Sequence, residues 1–272
     1  MANARRIGFM QGRLSPKPPD RIQAFPKEYW REEFPRAEEI GFGSIELIHD
    51  VLHLDVNPLS SDAGRRSLVS LSEKHKIALA SICADYFMVC PLEESLSVAI
   101  EVVQIASDIG CGLVELPFVD SSSLVRRRGD LRLRKAIETV ADVAERKGIL
   151  VSIESDLAPL EFREFLIEFS DNVGVNLDLG NSAALGYDVR AECRAYGERI
   201  FNVHIKDRLL GGKTVPLTTG HTDFLRAFQA LHDCHYQGDL ILQTAPDPDY
   251  IAAARTYRML TEQWSNGTWT ST

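Results

Sequence analysis

Apolar residues along this chain follow two alternating rhythms. Short runs of β-branched and aliphatic residues recur, separated by longer stretches in which apolar positions return every three or four residues. The short runs predict strands at Ile7–Met10, Ser44–Ile48, Leu79–Ala84, Leu113–Pro117, Leu150–Glu154, Val173–Asp178, Phe201–Ile205 and Leu240–Gln243. The longer stretches predict helices over Lys27–Ile40, Asp62–His75, Leu92–Ile109, Asp130–Lys147, Leu160–Phe169, Val189–Tyr196, Thr222–His232 and Asp249–Trp264. Gly41, Gly110 and Gly148 follow three of these, where a left-handed residue closes a helix without a Cβ penalty.

Strands alternating with helices imply a parallel sheet, and eight such units in about 250 residues match a closed barrel. An open, doubly wound sheet is the alternative, but it calls for a G-x-G-x-x-G turn after a strand. Gly41-Phe42-Gly43 instead precedes a strand and reads as a helix stop. The expected fold is therefore α/β, a single (β/α)8 TIM barrel over residues 1–264 with a C-terminal tail at 265–272. The longest irregular stretch, Gln11–Pro26, follows the first strand, on the barrel face that carries active sites.

Composition narrows the partners. A net charge of −9 argues against a surface built to neutralise nucleic-acid phosphates, and Arg126-Arg127-Arg128 reads as a solvated loop. No run approaches the ~18 apolar residues of a membrane span, and the polar start MANARRIGFMQGR is unlike a secretory signal. The five cysteines include no C-x-x-C pair and leave an odd thiol, which suits a reducing, cytoplasmic setting.

Four predicted strands in the second half end in metal-ligand residue types: Glu154, Asp178, His204 and Gln243. Singly, each has a plain structural explanation: an ion pair for Glu154, a capped turn for Asp178, a hydrogen-bonded core histidine for His204. Strand ends converge on one mouth in a barrel, so the combination predicts one divalent ion. Three oxygens and one nitrogen favour Mn²⁺, with Mg²⁺, Co²⁺, Fe²⁺ or Zn²⁺ as alternatives.

These residues also carry a family resemblance. Ser152-Ile153-Glu154, Asn176-Leu177-Asp178-Leu179-Gly180-Asn181 and Val203-His204-Ile205-Lys206-Asp207 resemble strands five to seven of the xylose isomerase-like barrels, specifically the sugar phosphate isomerase/epimerase group. Gly43-Ser44-Ile45-Glu46-Leu47 and Leu113-Val114-Glu115-Leu116-Pro117 resemble its strands two and four, and Ile7–Leu14 its opening strand. In that group a Glu, an Asp, a His and a second Glu bind the ion, and the two glutamates move protons on either side of a substrate carbon. Glu154, Asp178 and His204 match by position. Gln243 stands where the second glutamate would be, and Asn181 where many relatives carry a histidine.

The resemblance implies an enzyme acting on a small sugar, sugar phosphate or keto-polyol. Glu154 would abstract a proton beside a carbonyl polarised by the ion, with the charge spread over an enediolate. Glutamine is no base near neutral pH, so one-base isomerisation fits better than two-base epimerisation; dehydration of a keto-polyol is a further alternative. Glu115, Asn181, Lys206, Arg208, Gln11 and Arg13 are the expected substrate contacts, with Glu46, His49, His53, Asp85, Lys213 and His221 as further polar candidates. Lys206 and Asp207 are expected to pair with each other or to orient the metal's ligands. A homodimer or homotetramer is implied by the resemblance alone. Two rival classes stand beside this reading. A sugar-binding barrel that has lost its second base is supported by Gln243. An apurinic-site endonuclease is disfavoured by Asn181 and the acidic charge.

Overall fold

The structure, a computed structural model, describes residues 5–16, 23–50, 54–85 and 92–267. Its barrel strands are β1 (Ile7–Met10), β2 (Ser44–Ile48), β3 (Ala78–Cys83), β4 (Leu113–Phe118), β5 (Leu150–Ser155), β6 (Val173–Asp178), β7 (Ile200–Ile205) and β10 (Leu240–Leu242). All pair in parallel, and β10 pairs with β1 through Ile7 and Leu240 to close the ring. The predicted (β/α)8 barrel is the observed fold. Two short antiparallel strands, β8 (Asp207–Arg208) and β9 (Thr214–Val215), form a hairpin just after β7.

The surrounding helices are α1 (Glu33–Ile40), α2 (Asp62–His75), α3 (Leu92–Asp108), α4 (Leu131–Glu145), α5 (Pro159–Leu166), α6 (Leu179–Leu185), α7 (Val189–Tyr196), α8 (Phe224–Asp233) and α9 (Tyr250–Ser265). Several begin at a side-chain cap: Ser61 accepts from Gly64 N, Asp130 from Arg132 N, Asp188 from Arg190 N, Asp223 from Arg226 N and Asp249 from Ala252 N. Each cap satisfies one of the amides that a helix start leaves without an internal partner.

Two helices differ most from the sequence reading, and α5 ends at Leu166, three residues before the expected Phe169. The first begins at Glu33 rather than Lys27, with turns over residues 27–32. Pro35 explains this, because proline is tolerated only where its missing N–H is not needed, in a helix's first turn. The short α6 was not expected; Asp178 caps it by accepting from Asn181 N, and left-handed Gly186 ends it. The last helix runs one residue past the expected barrel boundary, to Ser265. His53, Cys90 and most of the tail lie outside the described residues. Among the described residues, no helix is long and apolar enough to cross a membrane.

Strand side chains alternate between two environments. Val151 and Ile153, Val173, Val175 and Leu177, and Val203 and Ile205 belong to the main hydrophobic core between strands and helices. Their neighbours point into the barrel, and there the interior is polar. Ser44, Glu46, Ser81, Glu115, Ser152, Asn176, Asn202 and His204 are all 2% exposed or less, whereas barrel interiors are ordinarily filled by branched aliphatics. The apolar interior cluster beside them is small: Met10, Ile48, Cys83 and Ile241. Buried polar groups are costly without partners, so the hydrogen bonds of this interior lead directly to the site.

Candidate metal centre and active site

Inward alternation brings Glu154, Asp178 and His204 together. Asp178 and His204 are register partners across β6 and β7, and Glu154 ends the inward row of β5. His204 Nδ1 lies 3.9 Å from Asp178 Oδ2 and 4.0 Å from Glu154 Oε2. The three ligand atoms fall within 4.8 Å of one another, and all three residues are buried.

The other ring nitrogen is fixed from below. His204 Nε2 is 2.8 Å from Glu46 Oε1, and the second Glu46 oxygen accepts from Ser81 Oγ at 2.6 Å and Asn202 Nδ2 at 2.8 Å. A carboxylate only accepts, so the proton belongs on Nε2, and Nδ1, on the side of Glu154 and Asp178, carries the lone pair, which accepts from Asn176 Nδ2 at 3.1 Å. This is the carboxylate–histidine arrangement that orients metal-ligating imidazoles. Burial, the largest single influence, lowers the His204 pKa, but the charge and hydrogen bond of Glu46 together with the charges of Glu154 and Asp178 outweigh it and hold the ring above its ordinary value.

Burial, and then the Asp178 charge, raises the Glu154 carboxyl. Glu115, one step lower in the barrel, is pushed well above the carboxylate range by burial and then by Glu46 and Glu154. Glu115 Oε1 accepts from Asn176 Nδ2 at 2.7 Å, but Glu115 Oε2 and Asn176 Oδ1 are buried without a hydrogen-bond partner. Two carboxylates, one imidazole nitrogen and nearby orphaned oxygens form a donor set suited to a hard or borderline divalent ion. Glu46, Glu115 and His204 make a second cluster, but there the Nε2 proton is already directed at Glu46.

The remaining predicted residues separate into those that shape the mouth and those that brace it. Asn181 Nδ2 donates to Glu154 Oε1, and Asn181 Oδ1 accepts from Arg208 at 2.6 Å, so Arg208 secures Glu154 through Asn181. Lys206 Nζ donates to Asp178 Oδ2 at 3.0 Å and to Gln243 Oε1 at 2.8 Å. Gln243 Nε2 in turn donates to Gln23 Oε1 at 3.0 Å, and Gln23 donates to Asp85 at 3.2 Å. Asp207 does not pair with Lys206; its carboxylate accepts from Gly220 N and Thr222 N and holds the loop after β9.

Gln11 is 1% exposed, and its Oε1 accepts from Ile48 N, tying β1 to β2. Arg13 donates to Thr244 O at 3.0 Å, and burial lowers its pKa to about 10. Glu115 lies beneath the triad, opposite Ser152 rather than Glu154. His221 accepts from Leu210 N, and Lys213 is exposed in the hairpin.

Asn176, Asn202, Ser81 and Gln23 were not among the expected site residues. A signal for two of them was present: polar residues two apart within apolar runs, as in Asn176-Leu177-Asp178 and Asn202-Val203-His204, put two polar groups on one strand face, whereas Ser81 is a single polar residue in β3. Gln23 has no such signal, because it lies in an irregular stretch.

Residues 34–260 match the family described as the xylose isomerase-like TIM barrel. The chain belongs to that family. Among curated members, it is similar to SgbU of Escherichia coli (strain K12), named "Putative L-ribulose-5-phosphate 3-epimerase", with 24% identity over 241 residues, 79% of this chain and 83% of SgbU. Among solved structures, it is similar to the IolI protein with a bound zinc atom at 18% identity and a TM-score of 0.76, covering 98% of this chain and 100% of that one. It is also similar to an L-ribulose 3-epimerase at 19% identity and a TM-score of 0.75, covering 97% and 95%. At these identities the solved structures establish the shared barrel, and the chemistry has to be argued from the residues of this chain.

Proposed function

We propose that this protein is a divalent-metal-dependent isomerase or epimerase of a small carbohydrate, with Glu154 as its proton-transferring base. The observation that carries the reading is the convergence of Glu154, Asp178 and the Nδ1 side of His204 in one buried cluster. A bound divalent ion, Mn²⁺ being the leading choice, supplies polarisation of the substrate carbonyl and neutralises charge in the enediolate. The names of SgbU and of the L-ribulose 3-epimerase structure support a ketose or its phosphate as substrate.

The two oxygens of Glu154 have different neighbours. Oε2 lies on the His204 side, and Oε1 is held by Asn181, so one oxygen is available to the ligand set while the other is positioned to take a proton. Burial raises its carboxyl, which brings a carboxylate closer to the proton affinity that acid–base chemistry near neutral pH requires. Glu154 takes the proton from the carbon beside the carbonyl and returns it on the same face. Return to the former carbonyl carbon, with the hydroxyl proton of the neighbouring carbon passing to the former carbonyl oxygen, interconverts aldose and ketose. Inversion requires delivery on the opposite face, where Gln243 cannot act as an acid or base.

The test is to incubate the metal-loaded protein with a panel of pentuloses, hexuloses and their phosphates and to identify products by NMR. An aldose product supports one-base isomerisation, and a C3 epimer supports the epimerase reading. No product from any member, with full metal occupancy, counts against both.

A further inference from the structure

Gln243 and Lys206 together point to a change in how this site uses its fourth position. We infer that Gln243 is a positioning residue for Lys206 and not a metal ligand, so that an ammonium group stands where relatives are implied to use a second glutamate. The inference rests on the metal-dependent reading above. Lys206 Nζ lies between the two residues that a fourth ligand would connect, 3.0 Å from Asp178 Oδ2 and 2.8 Å from Gln243 Oε1. Gln243 is thus separated from the Glu154–Asp178–His204 triad by a positive charge.

The orientation of the amide is determined by its neighbours. An ammonium offers donors only, so the Gln243 oxygen faces Lys206 and its nitrogen faces Gln23 Oε1 at 3.0 Å and Met10 Sδ at 3.3 Å. Reversal would set an N–H₂ group against the ammonium. A neutral amide oxygen already bound to an ammonium is a poor partner for a second cation, because it has no net charge to offset their repulsion. A carboxylate at the same place could balance both. Asp178 Oδ2 accepts from Lys206 on one side and faces His204 Nδ1 at 3.9 Å on the other.

The fold also makes room for Lys206. Gly180, on α6, lies beside the lysine stem, and a Cβ there would come within 2.8 Å of Lys206 Cγ and 3.0 Å of its Cβ. The side chain is 13% exposed. Lys206 is therefore placed to bind a carbonyl or hydroxyl oxygen of the carbohydrate, with Gln243 aiming it.

Calorimetric titration of Mn²⁺ and Zn²⁺, each alone, into the full-length protein separates the roles. Asp178→Asn is expected to weaken binding a hundredfold or more, whereas Gln243→Leu changes it by less than threefold. Lys206→Met is expected to tighten it fivefold or more by removing a like charge. Gly180→Ala, which keeps every polar group and suits a helix, displaces the lysine stem; it is expected to raise the carbohydrate KM fivefold or more while metal affinity stays within threefold. Metal binding that weakens tenfold or more in Gln243→Leu overturns this inference alone. Failure of the unaltered protein to bind either metal overturns the metal reading and this inference with it.

Discussion

Glu46 holds His204 from inside the barrel: Oε1 and Nε2 are 2.8 Å apart, and neither side chain has any solvent exposure. Glu46 touches none of the proposed substrate groups, yet it determines which imidazole nitrogen faces Glu154 and Asp178. Glu46→Gln keeps the size of the side chain but sets an amide nitrogen against donors at Ser81 and Asn202 or against His204 itself. Metal affinity is expected to fall roughly 10- to 100-fold, measured by titration of Mn²⁺, while the far-ultraviolet circular dichroism spectrum stays unchanged.

A second prediction concerns Glu192, a residue of α7 that is 4% exposed and lies behind the β6–α6 junction. Its Oε1 accepts from Ser182 at 2.9 Å and Tyr196 at 2.8 Å, and its Oε2 is buried without a partner. Burial raises the carboxyl from 4.5 to about 7. The folded state therefore binds this proton more tightly than the unfolded chain. Its contribution is fully present below pH about 4.5 and is lost as pH rises through about 7, with an upper bound of about 3 kcal/mol at ~1.4 kcal/mol per unit. Glu192→Gln should match the parent at pH 5 and melt at a higher temperature at pH 8, with thermal melts at the two values as the check.

The loop after β9 supplies a third. Asp207 is 0% exposed, and both carboxylate oxygens are used, on Gly220 N at 2.8 Å and Thr222 N at 3.0 Å. Asp207→Ala leaves two buried or half-buried amides without acceptors, at a cost of about 1–3 kcal/mol. Denaturant unfolding should show that loss, and limited proteolysis should cut within residues 209–222 before elsewhere.

The sequence reveals the barrel because strands of its second half leave two records: an apolar outward row and a polar residue at the mouth end. β6 shows both, with Val173, Val175 and Leu177 on the core side and Asp178 at the end. The triad was legible for the same reason. What remained hidden depends on relations that no single strand records. Glu46 reads as one more carboxylate near strand two until closure of the barrel brings it under His204, 158 residues away in sequence. Lys206 beside Asp207 reads either as an ion pair or as two residues that orient the metal's ligands; the alternation separates them, sending Lys206 into the mouth and Asp207 towards the loop. The hairpin of β8 and β9 is too short for any periodicity to show, and α6 is so short that only its two end signals mark it, Asp178 at its cap and Gly186 after it.

If Glu154 moves a proton beside a carbonyl, that carbon's hydrogen exchanges with solvent. Protein saturated with Mn²⁺ or Zn²⁺ is incubated in D₂O with pentuloses, hexuloses and their phosphates, and the signal of the hydrogen next to the carbonyl is followed by NMR. Deuterium is expected to replace that hydrogen in at least one member of the panel, and Glu154→Gln with its metal still bound should slow the exchange by roughly 10²- to 10⁴-fold. Absence of exchange across the panel, or exchange that proceeds unchanged in Glu154→Gln, would contradict the account.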